Sequence, residues 1–300
     1  MFLGIEIGGS KLQLAVGQAD GQLRGTWRGS VDLVAGAAGI RRQILDAVPE
    51  LLRTAGVEHA TLRAIGVGFG GPTDDATRTV ITSHQVTGWD DFPLAAWLTE
   101  HLHLPAFVGN DADVAGLGEA LHGAGRGQSP VFYVTVGSGI GGGLIIDGQI
   151  YRGVGRGAAE IGHLLVDGVH TTEDLASGFG MEEFLRTEYE RGDHMRIVTA
   201  KQVGEAAVRG DPDGVYVLKR AIDGLAVALT HVVTLLCPRV IVIGGGVSLI
   251  GEEHFFAPLR EAVARQAFKP FAGLTKIVPA ALGEEVVLRG ALALAKRGVA

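Results

Sequence analysis

Apolar residues in this chain come in short continuous runs, and most of the runs end on glycine. Residues 1–7 read as a buried strand, Gly8-Gly9-Ser10-Lys11 as a turn, and residues 12–16 as a returning strand with alternation. Asp20-Gly21 opens a second turn and residues 22–31 a third strand. The chain therefore begins with a meander, not with a strand that feeds straight into a helix. Ile40, Ile44, Val48, Leu51 and Leu52 recur at helical spacing over residues 37–55, with Arg41, Arg42, Glu50 and Arg53 on the water side. Pro49 falls inside that pattern, where proline disfavours an unkinked helix. Residues 64–69 form the next apolar run, ended by Gly70-Gly71-Pro72-Thr73-Asp74. A short strand over 79–83, a helix over 93–101 and a strand over 105–108 follow. That last strand delivers Gly109-Asn110-Asp111 to the start of a helix, residues 114–121.

The second half starts over. Residues 130–136 predict a strand, 137–143 a glycine loop, and 144–146 a strand. Asp147-Gly148 is a hairpin turn, and residues 149–151 are the return. Strand, glycine turn, strand is thus a theme of both halves, which points to an internally duplicated fold. Residues 153–163 are rich in glycine and ionisable groups, 164–166 read as extended, and 172–175 as a helix or turn. Helices are expected over 180–190, 199–209 and 215–236. The last carries one stripe of Leu218, Ala221, Ile222, Leu225, Leu229, Val232, Val233 and Leu236, and Pro238 stops it. A strand over 240–243 runs into Gly244-Gly245-Gly246. A helix over 255–267, a strand over 276–279 and a helix over 284–296 complete the chain. That final helix has no single apolar face and is expected to be buried on several sides.

Composition narrows the class. With 300 residues and 47% hydrophobic content, the chain can form one large domain or two ordinary ones. A formal charge of −7 gives no basic face for nucleic acid, while a nucleotide needs only a local pocket. The single cysteine, Cys237, falls inside an apolar helix pattern and is expected to be buried as a small hydrophobe. No disulfide is possible within the chain, which suits a reducing, cytoplasmic compartment. No signal-like segment and no membrane-spanning run are read in the sequence.

The 47 glycines cluster at corners. Four follow apolar strands: Gly8-Gly9, Gly70-Gly71, residues 137–143, and Gly244 to Gly246. One such corner is explained by a tight turn. Four in one chain, two bearing Ser and one Lys, point to a shared anion, because successive backbone N–H groups there converge on phosphate oxygens. Neither a Walker loop nor a dinucleotide fingerprint is present. Transfer of a phosphoryl group to a hydroxyl needs a phosphate cradle, Mg²⁺ and a carboxylate that takes the acceptor proton. Asp111 is the candidate carboxylate, with Asn110 beside it suited to a sugar hydroxyl. Both are also ordinary helix-capping residues, so the local pattern leaves capping and catalysis open. Glu6 is a candidate to hold Mg²⁺ through water, and Lys11 to meet a phosphate. Glu160 and His163, three apart, and Glu173 are read either as structural groups or as sugar contacts.

These pieces together resemble the ROK family (repressor, open reading frame, kinase) of the actin-like/hexokinase ATPase fold. The resemblance covers residues 4 to about 294 and rests on six segments: 4–11, 109–112, 118–119, 134–143, 157–163 and 243–247. It implies an α/β protein of two lobes, duplicated ribonuclease H-like domains. The expected first lobe spans 1–112 and is completed by the last helix, about 284–300; the second spans 113–283. It also implies a sugar kinase using ATP and Mg²⁺, as most members are. Asp111 then corresponds to the general base on the 6-hydroxyl, and Gly71, Asn110, Glu160, His163 and Glu173 to sugar-binding positions. Glu6, Gly8, Gly9, Ser10 and Lys11 correspond to the first phosphate segment. Gly137, Ser138, Gly139 and Gly141 correspond to the second, and Gly244, Gly245 and Gly246 to the segment near adenosine.

Departures from the family pattern shape the expectations. Glu6 stands where Asp is common, Ser10 and Ser138 where Thr is usual, Gly70 for a common Pro, and Gln85 for a sugar-side Asn. Residues 164–172 carry none of the cysteines that bind structural zinc in many members, so no zinc site is expected. The chain begins on its first strand, without the helix-turn-helix of the family's repressors. The expected function is ATP-dependent phosphorylation of glucose, in a homodimer. The rivals are another hexose (fructose, mannose, allose or an N-acetylhexosamine), polyphosphate as donor with Arg126, Arg152 and Arg156 as its modest basic candidates, and a non-catalytic sugar sensor.

Overall fold

The structure is a computed structural model and describes residues 1–189 and 198–299. In chain order the elements are β1 (Phe2–Ile7), β2 (Lys11–Gly17), β3 (Leu23–Ser30), α1 (Gly36–Ala55), β4 (Ile65–Phe69), β5 (Thr73–Asp74), β6 (Thr79–Val80), α2 (Leu94–Leu102), β7 (Ala106–Asn110) and α3 (Asp111–His122). Then come β8 (Val131–Val136), β9 (Ile140–Ile146), β10 (Gln149–Ile150), α4 (Thr172–Ala176), α5 (Gly178–Tyr189), α6 (Ala200–Val208) and α7 (Pro212–Leu236). The chain closes with β11 (Val240–Gly244), α8 (Ala257–Gln266), β12 (Lys276–Pro279) and α9 (Val286–Gly298). Contacts divide these into two compact units. One comprises Met1–Gly127, Gly143–Ala158 and the chain from Ala281 onward; the other comprises Gln128–Gly142 and the described part of Ala159–Ala280.

In the first unit the sheet order is β3-β2-β1-β4-β7. The opening meander is antiparallel, and β4 and β7 then pair parallel to β1 and to each other. A sheet covered on both faces buries its central strand throughout, and all six residues of β1 are buried, Glu6 among them as its one charged residue. Ile40, Ile44, Val48 and Leu51 of α1 join Leu3, Ile5, Leu12 and Leu14 in one core. That packing carries α1 unbroken through Pro49, although proline inside a helix costs about 3 kcal/mol. Helix α9 is buried at Val287, Leu288, Gly290, Ala291, Leu292, Ala293 and Ala295, on several sides as its pattern predicts. It packs on β1, β4 and α3 and approaches them closely through glycine. A Cβ at Gly118 of α3 would stand 2.5 Å from the Val286 carbonyl oxygen, and Cβ atoms at Gly290 and Gly66 would overlap the carbonyls of Val114 and Ala291.

The second sheet has the order β10-β9-β8-β11-β12. β11 is parallel to β8 and β12, and β10 is antiparallel to β9. The same succession of meander and parallel strands therefore occurs twice, so the duplication read from the sequence is present, within a two-domain α/β architecture. No described helix is long and apolar enough to cross a membrane.

Several elements differ from the sequence expectation. The glycine loop ends at Gly139, and Gly141, Gly142 and Gly143 lie inside β9. Their glycines serve close approach: a Cβ at Gly143 would stand 2.9 Å from the Ala112 carbonyl oxygen, and one at Gly142 would overlap the Ala159 carbonyl. Residues 164–166, read as extended, are so at Leu164, and a single bridge joins Leu165 to Thr171. The strand expected over 79–83 shrinks to β6. Cys237 ends α7 in the left-handed conformation, φ 41°, and is only half-buried. A π-helical turn, Glu252–Phe256, precedes α8. Residue 190 of the helix expected over 180–190 lies outside the described residues.

The crossing of α3 and α9 predicts that Gly290→Leu destabilises the protein by about 3 kcal/mol or more, because a side chain has no space at that backbone contact. Urea denaturation followed by circular dichroism measures this. An unchanged midpoint would contradict the packing.

Candidate functional site

Strand β7 runs directly into α3, and Asn110 is the helix cap. Its Oδ1 accepts the backbone N–H of Ala112 at 2.9 Å and of Asp113 at 3.4 Å, while its Nδ2 donates to the Gly71 carbonyl at 3.1 Å. Capping thus falls to Asn110. Asp111, the first residue of the helix, is left half-buried with Oδ1 accepting the Ala112 N–H at 2.8 Å. The other oxygen, Oδ2, lies 3.5 Å from where a Cβ on Gly70 would stand, and the Gly8 Cα lies 3.5 Å from the same point. A carboxylate, the Gly70-Gly71 corner and the Gly8-Gly9 turn therefore converge in the first unit. The helix N-terminus adds partial positive charge there.

The turn itself rests on a buried carboxylate. Glu6 pairs with Lys11 Nζ at 3.1 Å and accepts Gln13 Nε2 at 2.8 Å. Gln13 Oε1 in turn accepts Arg28 Nε at 3.0 Å. Each Glu6 oxygen thus already holds one donor. Arg152 stands over Gly109, its Nη2 3.3 Å from a Cβ position there, and is paired with Asp75. Burial raises the Asp75 carboxyl above its ordinary value, and Arg152 opposes the rise. Arg156 is paired with Asp74 at 3.5 Å. Two of the three arginines considered for polyphosphate thus carry carboxylate partners.

In the second unit the Gly137–Gly139 loop is gripped by the start of α5. Gly178 N–H donates to the Gly137 carbonyl at 2.7 Å and Phe179 N–H to the Ser138 carbonyl at 3.0 Å. Beside it opens a cavity of about 810 Å³, within the range of small-molecule sites. Gly137, Ser138 and Gly246 line it, together with Phe179, Glu182, Lys201 and Leu249. Gly139, Gly141, Gly244 and Gly245 do not. Phe179, Glu182, Lys201 and Leu249 have no local signature in the sequence, because α5, α6 and the turn after β11 meet only on packing. The apolar wall and glycine backbone suit a flat base, and the wall carries the acids Glu182 and Glu205 beside the bases Lys201 and Arg209.

Also in this unit, Glu160 and His163 are exposed on one tight turn, in which the His163 N–H donates to the Glu160 carbonyl at 3.1 Å. Glu173 is half-buried, and its Oε2 accepts the Ile140 N–H at 2.6 Å against Gly139. The intervening segment closes on itself. Val166 N–H donates to the His170 carbonyl at 3.0 Å and Thr172 N–H to the Leu164 carbonyl at 2.8 Å. Asp167 accepts the N–H groups of Val169 at 2.9 Å and His170 at 2.7 Å, and pairs with His170 Nδ1 at 2.7 Å. These bonds, the His170 backbone first, hold the Asp167 carboxyl far below its usual range. The chain's one cysteine leaves no cysteine cluster to do this work.

A model of the ROK family matches residues 2–298. A glucokinase of Halalkalibacterium halodurans is 31% identical over 309 residues, covering 96% of this chain and 93% of its own. Among solved structures, a ROK hexokinase from Thermus thermophilus is 29% identical with a TM-score of 0.86, covering 99% of this chain and 98% of that one. A ROK family glucokinase from Streptomyces griseus, in complex with glucose and AMPPNP, is 28% identical with a TM-score of 0.80 and covers 99% of both chains.

The self-closed segment predicts that a zinc chelator leaves hydrogen exchange over residues 164–172 unchanged, while Asp167→Ala accelerates it. Exchange mass spectrometry reads both. Chelator-induced opening of the segment would contradict its closure by Asp167.

Proposed function

This chain belongs to the ROK family, and from that premise we propose that it transfers the γ-phosphoryl group of ATP to the 6-hydroxyl of a hexose, glucose before other sugars. It is a sugar kinase. The observation that carries the finer reading is the placement of Asp111, with one oxygen tied to the helix start and the other beside the Gly8-Gly9 turn and Gly70. A general base has to be fixed within reach of the hydroxyl it deprotonates. Asn110 orients it by capping the helix, and an amide hydrogen beyond the one donated to Gly71 is left for a sugar hydroxyl. Gly71 is held beside it by that same bond.

In this reading Asp111 accepts the 6-hydroxyl proton as the oxygen bonds to phosphorus and the bond to the ADP oxygen breaks. Backbone N–H groups of the Gly8-Gly9-Ser10 turn stabilise phosphoryl oxygens in the first unit, and in the second unit those of the Gly137–Gly139 loop are phosphate donors of the same kind. Lys11 is the cation of the first turn, balanced by Glu6 until a triphosphate competes for it. Magnesium on the triphosphate would neutralise phosphate charge, with Glu6 meeting its water shell. The cavity beside Ser138 and Gly246 takes the nucleoside. Glu160 and His163 contribute further sugar contacts, and Glu173 fixes the Ile140 backbone next to them. Glucose is preferred because the Halalkalibacterium relative is a glucokinase and the Streptomyces relative was solved with glucose and AMPPNP. An ATP donor is favoured over polyphosphate by the apolar cavity and by the paired Arg152 and Arg156.

Asp111→Asn keeps the shape of the corner and removes the base. Sugar affinity by calorimetry is expected to stay near that of the unaltered protein, while turnover falls about 10³-fold. Turnover near the unaltered rate would remove Asp111 from this role.

A further inference from the structure

The chain between β6 and α2 carries a side chain that the reading above leaves unused. This segment is fastened along its length. Val86 and Trp89 are buried, and the Trp89 ring meets Phe69 and Phe92 edge-on, with centroids 5.2 and 5.4 Å away. Phe69 is the last residue of β4, directly before Gly70. Thr82 Oγ1 donates to Asp90 Oδ1 at 2.6 Å, and Ala37 N–H donates to the Thr87 carbonyl at 2.9 Å. Ser83 Oγ accepts the N–H groups of Gln85 at 3.4 Å and Val86 at 3.2 Å. A loop anchored by a buried tryptophan and closed by these bonds holds its tip residue in a defined place.

That tip residue is Gln85, and its side chain lies across Gly9. A Cβ built on Gly9 would fall on Gln85 Oε1 and stand 2.8 Å from the Gln85 Cβ. Gly9 belongs to the turn whose other glycine, Gly8, shares a 3.5 Å neighbourhood with Asp111 Oδ2 at the Gly70 position. The Gln85 amide therefore lies against Gly9, its Oε1 nearest, while the Asp111 carboxylate and Gly8 are both neighbours of Gly70. The two groups have complementary chemistry. The carboxylate takes a proton, whereas a neutral amide donates to anionic oxygen without repelling it. A phosphoryl group in flight carries its charge on three equatorial oxygens and is stabilised by donors fixed in advance. The Gln85 side chain is exposed, so its amide is accessible to such a group.

We propose that Gln85 is a catalytic residue that donates its amide N–H to the phosphoryl group during transfer. This rests on the kinase reading above. It assigns a role to the residue that replaces a sugar-side Asn.

The test compares the unaltered protein with Gln85→Ala and Gln85→Glu in sugar-dependent ADP release, with calorimetric sugar affinity and melting temperature measured alongside. Gln85→Ala is expected to lower kcat about 10²-fold, and Gln85→Glu about tenfold further through charge repulsion, with sugar affinity and melting unchanged. Equal rates for the two variants, a loss confined to sugar affinity, or a loss that follows melting temperature would each overturn the assignment. No sugar-dependent ADP release from the unaltered protein would sink the kinase reading and this proposal together. Full activity in Gln85→Glu would sink this proposal alone.

Discussion

The first unit depends on how closely one helix can lie against a sheet and a second helix. Helix α9 reaches the carbonyl groups of its neighbours only because Gly66, Gly118 and Gly290 have no side chains. Close backbone approach multiplies dispersion contacts, and any added atom must displace backbone. The consequence runs to the site. Helix α3 begins at Asp111, and α9 pins the same helix at Gly118. Glu119, fully buried, fastens the other end of the arrangement. Its Oε1 accepts the N–H groups of Ala281 and Leu282, each at 2.9 Å, and its Oε2 accepts that of Ala124 at 2.7 Å. A carboxylate with three backbone donors satisfies groups that would each cost about 1–3 kcal/mol if left unpaired in the interior. The C-terminal helix is thus part of the support for Asp111.

Much of the architecture was legible because buried strands and long amphipathic helices write strong patterns. The stripe of α7 and the apolar run of β1 are examples, and the repeated strand-glycine-strand theme became the repeated sheet order. Glycine was the ambiguous letter. At Gly8, Gly70 and Gly137 it marks a corner, as read. At Gly141, Gly142 and Gly143 it marks a strand against which other backbone packs, and one-dimensional pattern does not separate the two uses. The Asn110-Asp111 pair posed a similar choice. Capping and a half-buried carboxylate proved to be neighbours on the chain, not alternatives. The nucleoside-sized cavity was half legible. Ser138 and Gly246 sit on strand ends that announce themselves, whereas Phe179, Lys201 and Leu249 meet only in three dimensions.

Glu6 shows how one extra methylene is absorbed. Glu6 and Gln13 face each other in the β1–β2 ladder, and Lys11 opens β2. Cross-strand neighbours of this kind stabilise one another. The longer side chain reaches both, so the carboxylate is neutralised within its own hairpin. Lys11 is thereby held beside the Gly8-Gly9 turn. In the second unit Asp167 plays a comparable part, closing residues 164–172 by hydrogen bonds alone.

The central claim is that this chain passes a phosphoryl group from ATP to a hexose. Coupled ADP release with ATP and Mg²⁺, across hexoses and N-acetylhexosamines with a sugar-free control, tests it most directly. The account predicts slow release without sugar, strong stimulation by glucose above the other sugars, and a 6-phosphate product in one-to-one yield with ADP. Folded protein that no sugar stimulates would contradict it.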